Sequence, residues 1–223
     1  MRKIFLMAVI FCFCLSGCIN FNPNRSKDSE EKVDEEAVVN DDPNDDAMME
    51  KSSHLKFKGV PIDGTLKEFT TRMKRKGFKS VGSDDGLEIL QGDFAAFKEC
   101  VIYVSTLDNK DLVSRISVAF PKEETWEYLY GDYKHLKELL TEKYGQPSSV
   151  TEKFQGYSEP RDDNSRMHEV QMDRCKYETR FKTDNGEIVL WIEHESVVSC
   201  FVMLTYKDKV NGSIIKNVAK DDL

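Results

Sequence analysis

Six cysteines and four histidines hold most of the reactive side-chain chemistry in this 223-residue chain. The first candidate is Cys18. It follows Arg2-Lys3, an apolar run over residues 4–14 and then Leu15-Ser16-Gly17. That run is short of the roughly 20 apolar residues a membrane span needs, so it reads as a secretory signal. The small residues before Cys18 fit a peptidase cleft, which leaves its thiol open to acylation after cleavage.

The remaining reactive groups do not assemble into a recognisable catalytic pattern. His168-Glu169 opens like a zinc-binding helix motif, but Met172 stands at the second histidine position. No nucleophile elbow, phosphate loop, dinucleotide fingerprint or Cys-x-x-Cys pair occurs. His54, His135, His168 and His194 are scattered. Cys200 and His194 are a conceivable nucleophile pair, yet Phe201-Val202-Met203 beside Cys200 predicts a raised thiol pKa and an inert group. Cys100, Cys175 and Cys200 read first as small buried hydrophobes. A Cys175–Cys200 bridge is the alternative, and with three thiols one stays free. Asp162 and Asp163 lie in the polar stretch 156–167, which reads as a solvated strand connection and candidate contact loop. Glycosidic chemistry would need one of the two acids in an apolar pocket. The expectation is no enzyme, no catalytic residue, no metal and no cofactor.

Charge, core length and Leu15-Ser16-Gly17-Cys18 together resemble the lipobox of bacterial lipoproteins. The resemblance, to an uncharacterised, Bacteroidetes-type envelope lipoprotein, implies residues 1–17 as the signal peptide and a thioether-linked diacylglycerol on Cys18. It also implies a further acyl chain, such as palmitate, on the new amine. Two or more chains anchor a protein stably without a spanning helix. Ile19 after the cysteine is not the Asp of an inner-membrane retention signal, so delivery to the outer membrane follows. The first acid is Asp28, too distant to resemble the surface-export signal of such lipoproteins. That favours the periplasmic leaflet.

Residues 18–53 read as the lipidated cysteine followed by a disordered acidic tether. Residues 25–50 alone carry eleven acids against three bases, a composition that cannot offset chain entropy by burial. Asp41-Asp42-Pro43-Asn44-Asp45-Asp46 lacks the central Gly and distal Glu of a calcium loop. The tether accounts for the net charge of the whole chain, −8. The remainder from residue 51 is nearly neutral and offers no basic surface suited to nucleic acid.

Residues 54–210 suffice for one core, with 211–223 as a polar tail. Thr65 and Glu68 form a capping-box pattern, followed by Leu66, Phe69 and Met73 on one helical face, with Gly77 at the stop. A second helix starts near Thr125, with Trp126, Leu129, Tyr133, Leu136 and Leu140 as its stripe. Gly145 ends it, and Gly131 is a possible break. Strand patterns cover residues 87–90, 100–105, 116–120, 150–154, 177–181, 188–192 and 198–206. Asp84-Asp85-Gly86 and Asp184-Asn185-Gly186 read as hairpin turns.

The stretch around Val60-Pro61 and Thr65-Leu66 is echoed by Phe120-Pro121 and Thr125-Trp126. This predicts an α+β fold of two tandem helix-on-antiparallel-sheet units sharing one sheet, with a single helix-grip sheet as the alternative. The element order resembles the outer-membrane assembly lipoproteins and the β-lactamase inhibitor protein. That resemblance implies protein binding and transfers no residue roles.

The strands carry two apolar faces. Ile188, Leu190 and Ile192 should face the helices, which turns Val189 and Trp191 the other way. An apolar second face needs a cover, either from the chain itself or from a partner. The reading that follows is a membrane-anchored, non-enzymatic envelope module. Its protein-binding face would use Tyr103, Trp191, Phe201 and Met203 as anchors, and Tyr128, off the Trp126–Leu140 stripe, should be exposed. A periplasmic carrier or sensor of a small apolar ligand is the alternative.

Overall fold

Thr65 and Thr125 each end an extended segment and begin a helix. A computed structural model describes residues 53–107, 110–156, 159–196 and 199–221. Cys18 and the stretches expected to form the signal peptide and the acidic tether lie outside them. Helix α1 (Leu66–Arg75) carries the full capping box, in which Thr65 accepts from the Glu68 amide and Glu68 accepts from the Thr65 amide. Helix α2 (Trp126–Tyr144) is capped by Thr125 and closes at Gly145, whose φ of 83° suits a residue without a Cβ. It runs unbroken through Gly131, where an added Cβ would meet nothing within 4 Å. Surrounding packing outweighs the propensity cost of one glycine, about 1 kcal/mol.

The strands are β1 (Lys56–Phe57), β2 (Val60–Pro61), β3 (Lys79–Asp84), β4 (Leu87–Phe94), β5 (Phe97–Leu107), β6 (Lys110–Glu123), β7 (Ser149–Phe154), β8 (Cys175–Thr183), β9 (Gly186–Ser196) and β10 (Ser199–Asp208). The first two form a small hairpin. The other eight form one antiparallel sheet, in the order β3-β4-β5-β6-β10-β9-β8-β7. The fold is α+β, and the expected strands and both hairpin turns are present.

Three elements were not legible as such. Strand β3 is largely exposed and shows little alternation. Helix α3 (Asp163–Gln171) occupies part of the stretch expected to be a solvated connection, because Asp162 caps it by accepting from the Ser165 amide. Helix α4 (Lys209–Asp221) takes the place of the polar tail expected from residue 211. Asp208 explains its start, because its Oδ2 accepts from the Asn211 amide in the first turn at 2.8 Å, and the Asn211 side chain donates to the Ile62 and Val113 carbonyls.

One core lies between the helices and the first face of the sheet. Phe69, Met73, Leu129, Tyr133 and Leu136 pack there with Leu90, Ile102, Ile116, Val118, Leu190 and Leu204. Every second strand residue points into it, which is the period-2 geometry of a pleated sheet. Tyr133 reaches across the core to Thr179, with the two hydroxyl oxygens 2.6 Å apart. The start of the described chain is laced to the end of β10. The Leu55 amide donates to Asp208 Oδ1 at 2.8 Å, and His54 Nδ1 lies 3.0 Å from Asp208 Oδ2. The β8–β9 turn lies flush against β10, since a Cβ on Gly186 would come within 2.2 Å of the Lys207 carbonyl oxygen.

Candidate functional site

The candidate site is the second face of the sheet, built from the strand residues left over by the core. Register fixes its rows. Ile89, Tyr103, Ser117, Thr205, Val189 and Arg180 follow one another across six strands. The next row is Gln91, Val101, Ala119, Met203, Trp191 and Glu178. Phe201 stands one step further along β10, opposite Lys122 and Glu193. Tyr103, Trp191, Phe201 and Met203 therefore share one face, as do Val189 and Trp191.

The four are not equally accessible. Phe201 and Met203 are 9% and 6% exposed and make the floor, whereas Tyr103 and Trp191 are half-buried and present ring surface. The floor lies low because β10 is central, flanked by β6 and β9. Val189, Phe201 and Met203 are buried yet stand apart from the helix-side cluster, to which the buried apolar residues of α1, α2 and α3 belong. Polar groups on this face are internally matched. Ser117 and Thr205 hydroxyls are 2.8 Å apart, Trp191 Nε1 donates to Glu193 at 2.9 Å, and Lys122 pairs with Glu195 at 2.8 Å. Burial raises the Tyr103 phenol above its ordinary pKa, with nearby Glu195 adding to the effect.

The acidic pair Asp162 and Asp163 has a structural task. Asp162 caps α3, and the Ser165 amide holds its carboxyl below the usual range. Asp163 accepts from the Trp126 and Glu127 amides at 3.1 and 2.9 Å, which completes the N-terminus of α2. The two acids expected in a contact loop thus fasten α3 to α2, where sequence reading had no signal that so distant an amide needed a partner. Tyr128, on the outer side of α2, is 66% exposed.

Among the described residues the cysteines, Cys100, Cys175 and Cys200, are free. Burial pushes Cys100 up to about 11 and Cys175 up to about 12, and raises Cys200 as well. Cys175 on β8 and Cys200 on β10 have β9 between them, and neither is bridged. His194 lies opposite Cys200, and its Nδ1 is buried without a hydrogen-bond partner. Among the described residues, no group of three or more His, Cys, Asp or Glu is arranged to hold a metal ion.

A pocket of about 360 Å³ lies along α2 beside β7, lined by Tyr130, Tyr133, Lys134, Lys137, Glu138 and Glu152, among others. Lys137 and Glu152 pair across it at 2.6 Å. Charged side chains border it, while most of its exposed lining is apolar. Among the described residues no helix is long and apolar enough to cross a membrane. No family model, curated protein or solved structure matches this chain.

Proposed function

We propose that this chain is a lipid-anchored envelope protein that presents a non-enzymatic protein-binding module, and that the second sheet face is the binding surface. The observation that carries the reading is the coherent apolar face of Val101, Tyr103, Val189, Trp191, Phe201 and Met203. It is separate from the core and lies on the side of the sheet away from the helix-side cluster. Aromatic and Met side chains over a close-packed floor are the composition of protein interfaces. The anchor is read from Leu15-Ser16-Gly17-Cys18, and the outer-membrane, periplasm-facing location from Ile19 and the late first acid.

The domain is further read as two tandem units sharing one sheet. Support comes from the mirrored order β3-β4-β5-β6 and β10-β9-β8-β7. It comes also from the paired helix starts, where the Leu66 amide donates to Asp111 and the Trp126 amide to Asp163. In each case a distant Asp supplements a Thr cap.

Two experiments test the proposal. Palmitate labelling and membrane retention should both be lost in Cys18→Ala, and retention unchanged in that variant sinks the anchor. Tyr103→Ala/Trp191→Ala should fold normally by circular dichroism yet lose its crosslinked envelope partner. Unaltered crosslinking to the folded variant sinks the surface.

A further inference from the structure

One end of the second sheet face is cationic, and its charges are only partly matched. Arg115 on β6 stands directly opposite Lys207 on β10. Lys207 stands opposite Glu187 on β9, and Glu187 opposite Lys182 on β8. Arg180, one step further along β8, shares the same side of the sheet because it pairs with Val189.

The two carboxylates here are already engaged. Glu187 accepts from Arg180 at 3.2 Å and pairs with Lys207 at 3.4 Å, while Glu178 holds Arg180 at 2.8 Å. Arg115 and Lys182 are exposed, and among the described residues neither has an ion-pair partner. Like charges directly opposite on neighbouring strands are destabilising, so Arg115 beside Lys207 is a local cost that an external carboxylate would relieve. One row further in lie Thr205 and Val189, and beyond them Met203 and Trp191.

Taking the second face as the binding surface, we infer that its partner is a protein segment in which acidic residues adjoin an apolar side chain. The carboxylates engage Arg115, Lys182 and Lys207, and the apolar residue packs against Trp191 and Tyr103. Anionic lipid is a poorer fit. Lipid surfaces are recognised by clusters of four to eight free Lys and Arg, whereas this row interleaves Glu187 and Glu178 with its cations. That alternation suits directional pairing with individual carboxylates.

The test is photocrosslinking of the full-length chain in its native membrane, with benzoylphenylalanine at Ser105, which stands opposite Arg115 on the same face. The crosslinked segment is sequenced by mass spectrometry. The expected product is a second protein joined at a segment rich in Asp and Glu. Its yield should fall about fivefold in Arg115→Glu/Lys182→Glu at equal abundance, and similarly at about 0.5 M salt.

A neutral or basic crosslinked segment, or a yield unchanged by the charge reversal, overturns the inference. So does a lipid adduct, or a crosslink back to residues 25–50 of the same chain. If the yield ignores charge reversal but falls in Trp191→Ala, the binding face stands and only its acidic partner is wrong. No adduct at all overturns both.

Discussion

The two faces of the eight-stranded sheet are built from alternate residues of the same strands, yet their environments differ in kind. On the first face Leu190, Leu204 and Ile102 are fully buried under helices, inside one continuous cluster. On the second, Val189 and Met203 are buried beside half-exposed Trp191 and Tyr103, with ion pairs at both ends. A residue enclosed on all sides leaves a cavity when truncated, whereas one near a surface allows its neighbours and water to close in. Low exposure alone therefore does not equate the two faces.

The largest effect should come from cutting the first face. Leu190→Ala should cost about 3–5 kcal/mol in chemical denaturation, against about 2 kcal/mol for Met203→Ala, where neighbouring side chains near solvent can close in. Equal losses would mean that the second face is as tightly enclosed as the first, and would break the comparison. A smaller first-face loss is expected from Tyr133→Phe, which leaves the Thr179 hydroxyl without its partner and should cost about 1–3 kcal/mol. Stability unchanged by that substitution would show the hydroxyl pair to be dispensable.

On the second face, the Arg180 guanidinium holds the Glu178 carboxyl below its usual range. A lowered folded-state pKa stabilises above the unfolded value, near 4.5, and that contribution disappears as pH falls through the folded value. Wild type should thus exceed Glu178→Gln in stability at neutral pH and converge with it in acid. A pH-independent gap would remove the ion pair from the account. The smallest effect concerns the β4–β5 turn, where Ala95 and Ala96 both have positive φ, 49° and 67°. Asn and Gly adopt this geometry at lower cost, so Ala95→Asn/Ala96→Gly should gain about 1 kcal/mol. A loss instead would show that the alanine methyls contribute more by packing against the aromatic cluster than their backbone costs.

That turn also marks the limit of what the sequence reveals. Where side-chain chemistry and backbone demand coincide, the element is readable: Thr65 with Glu68, the Trp126–Leu140 stripe, and Asp184-Asn185-Gly186. Ala95-Ala96 gives no turn signal, because the conformation is imposed by Phe94 and Phe97 pairing across it and packing on Phe57 and Phe120. Helix α3 was hidden for a related reason. Its polar composition reads as a loop, and only contact with α2 gives Asp163 its partners. Of the candidate site, the period-2 pattern exposed which residues share a face. It could not show that Phe201 and Met203 would lie beneath their neighbours, nor that Arg115 would meet Lys207, since strand order and register are set by long-range pairing.

The knot at Asp208 has a mechanical consequence. His54 and Leu55 are fastened, through the ring and the amide, to a carboxylate at the end of a central strand, and Asn211 braces that carboxylate from α4. A tug from the N-terminal side is delivered first to the middle of the sheet and not to the vulnerable margins, β3 and β7. Those margins are spared peeling, and the domain should yield late and all at once under load.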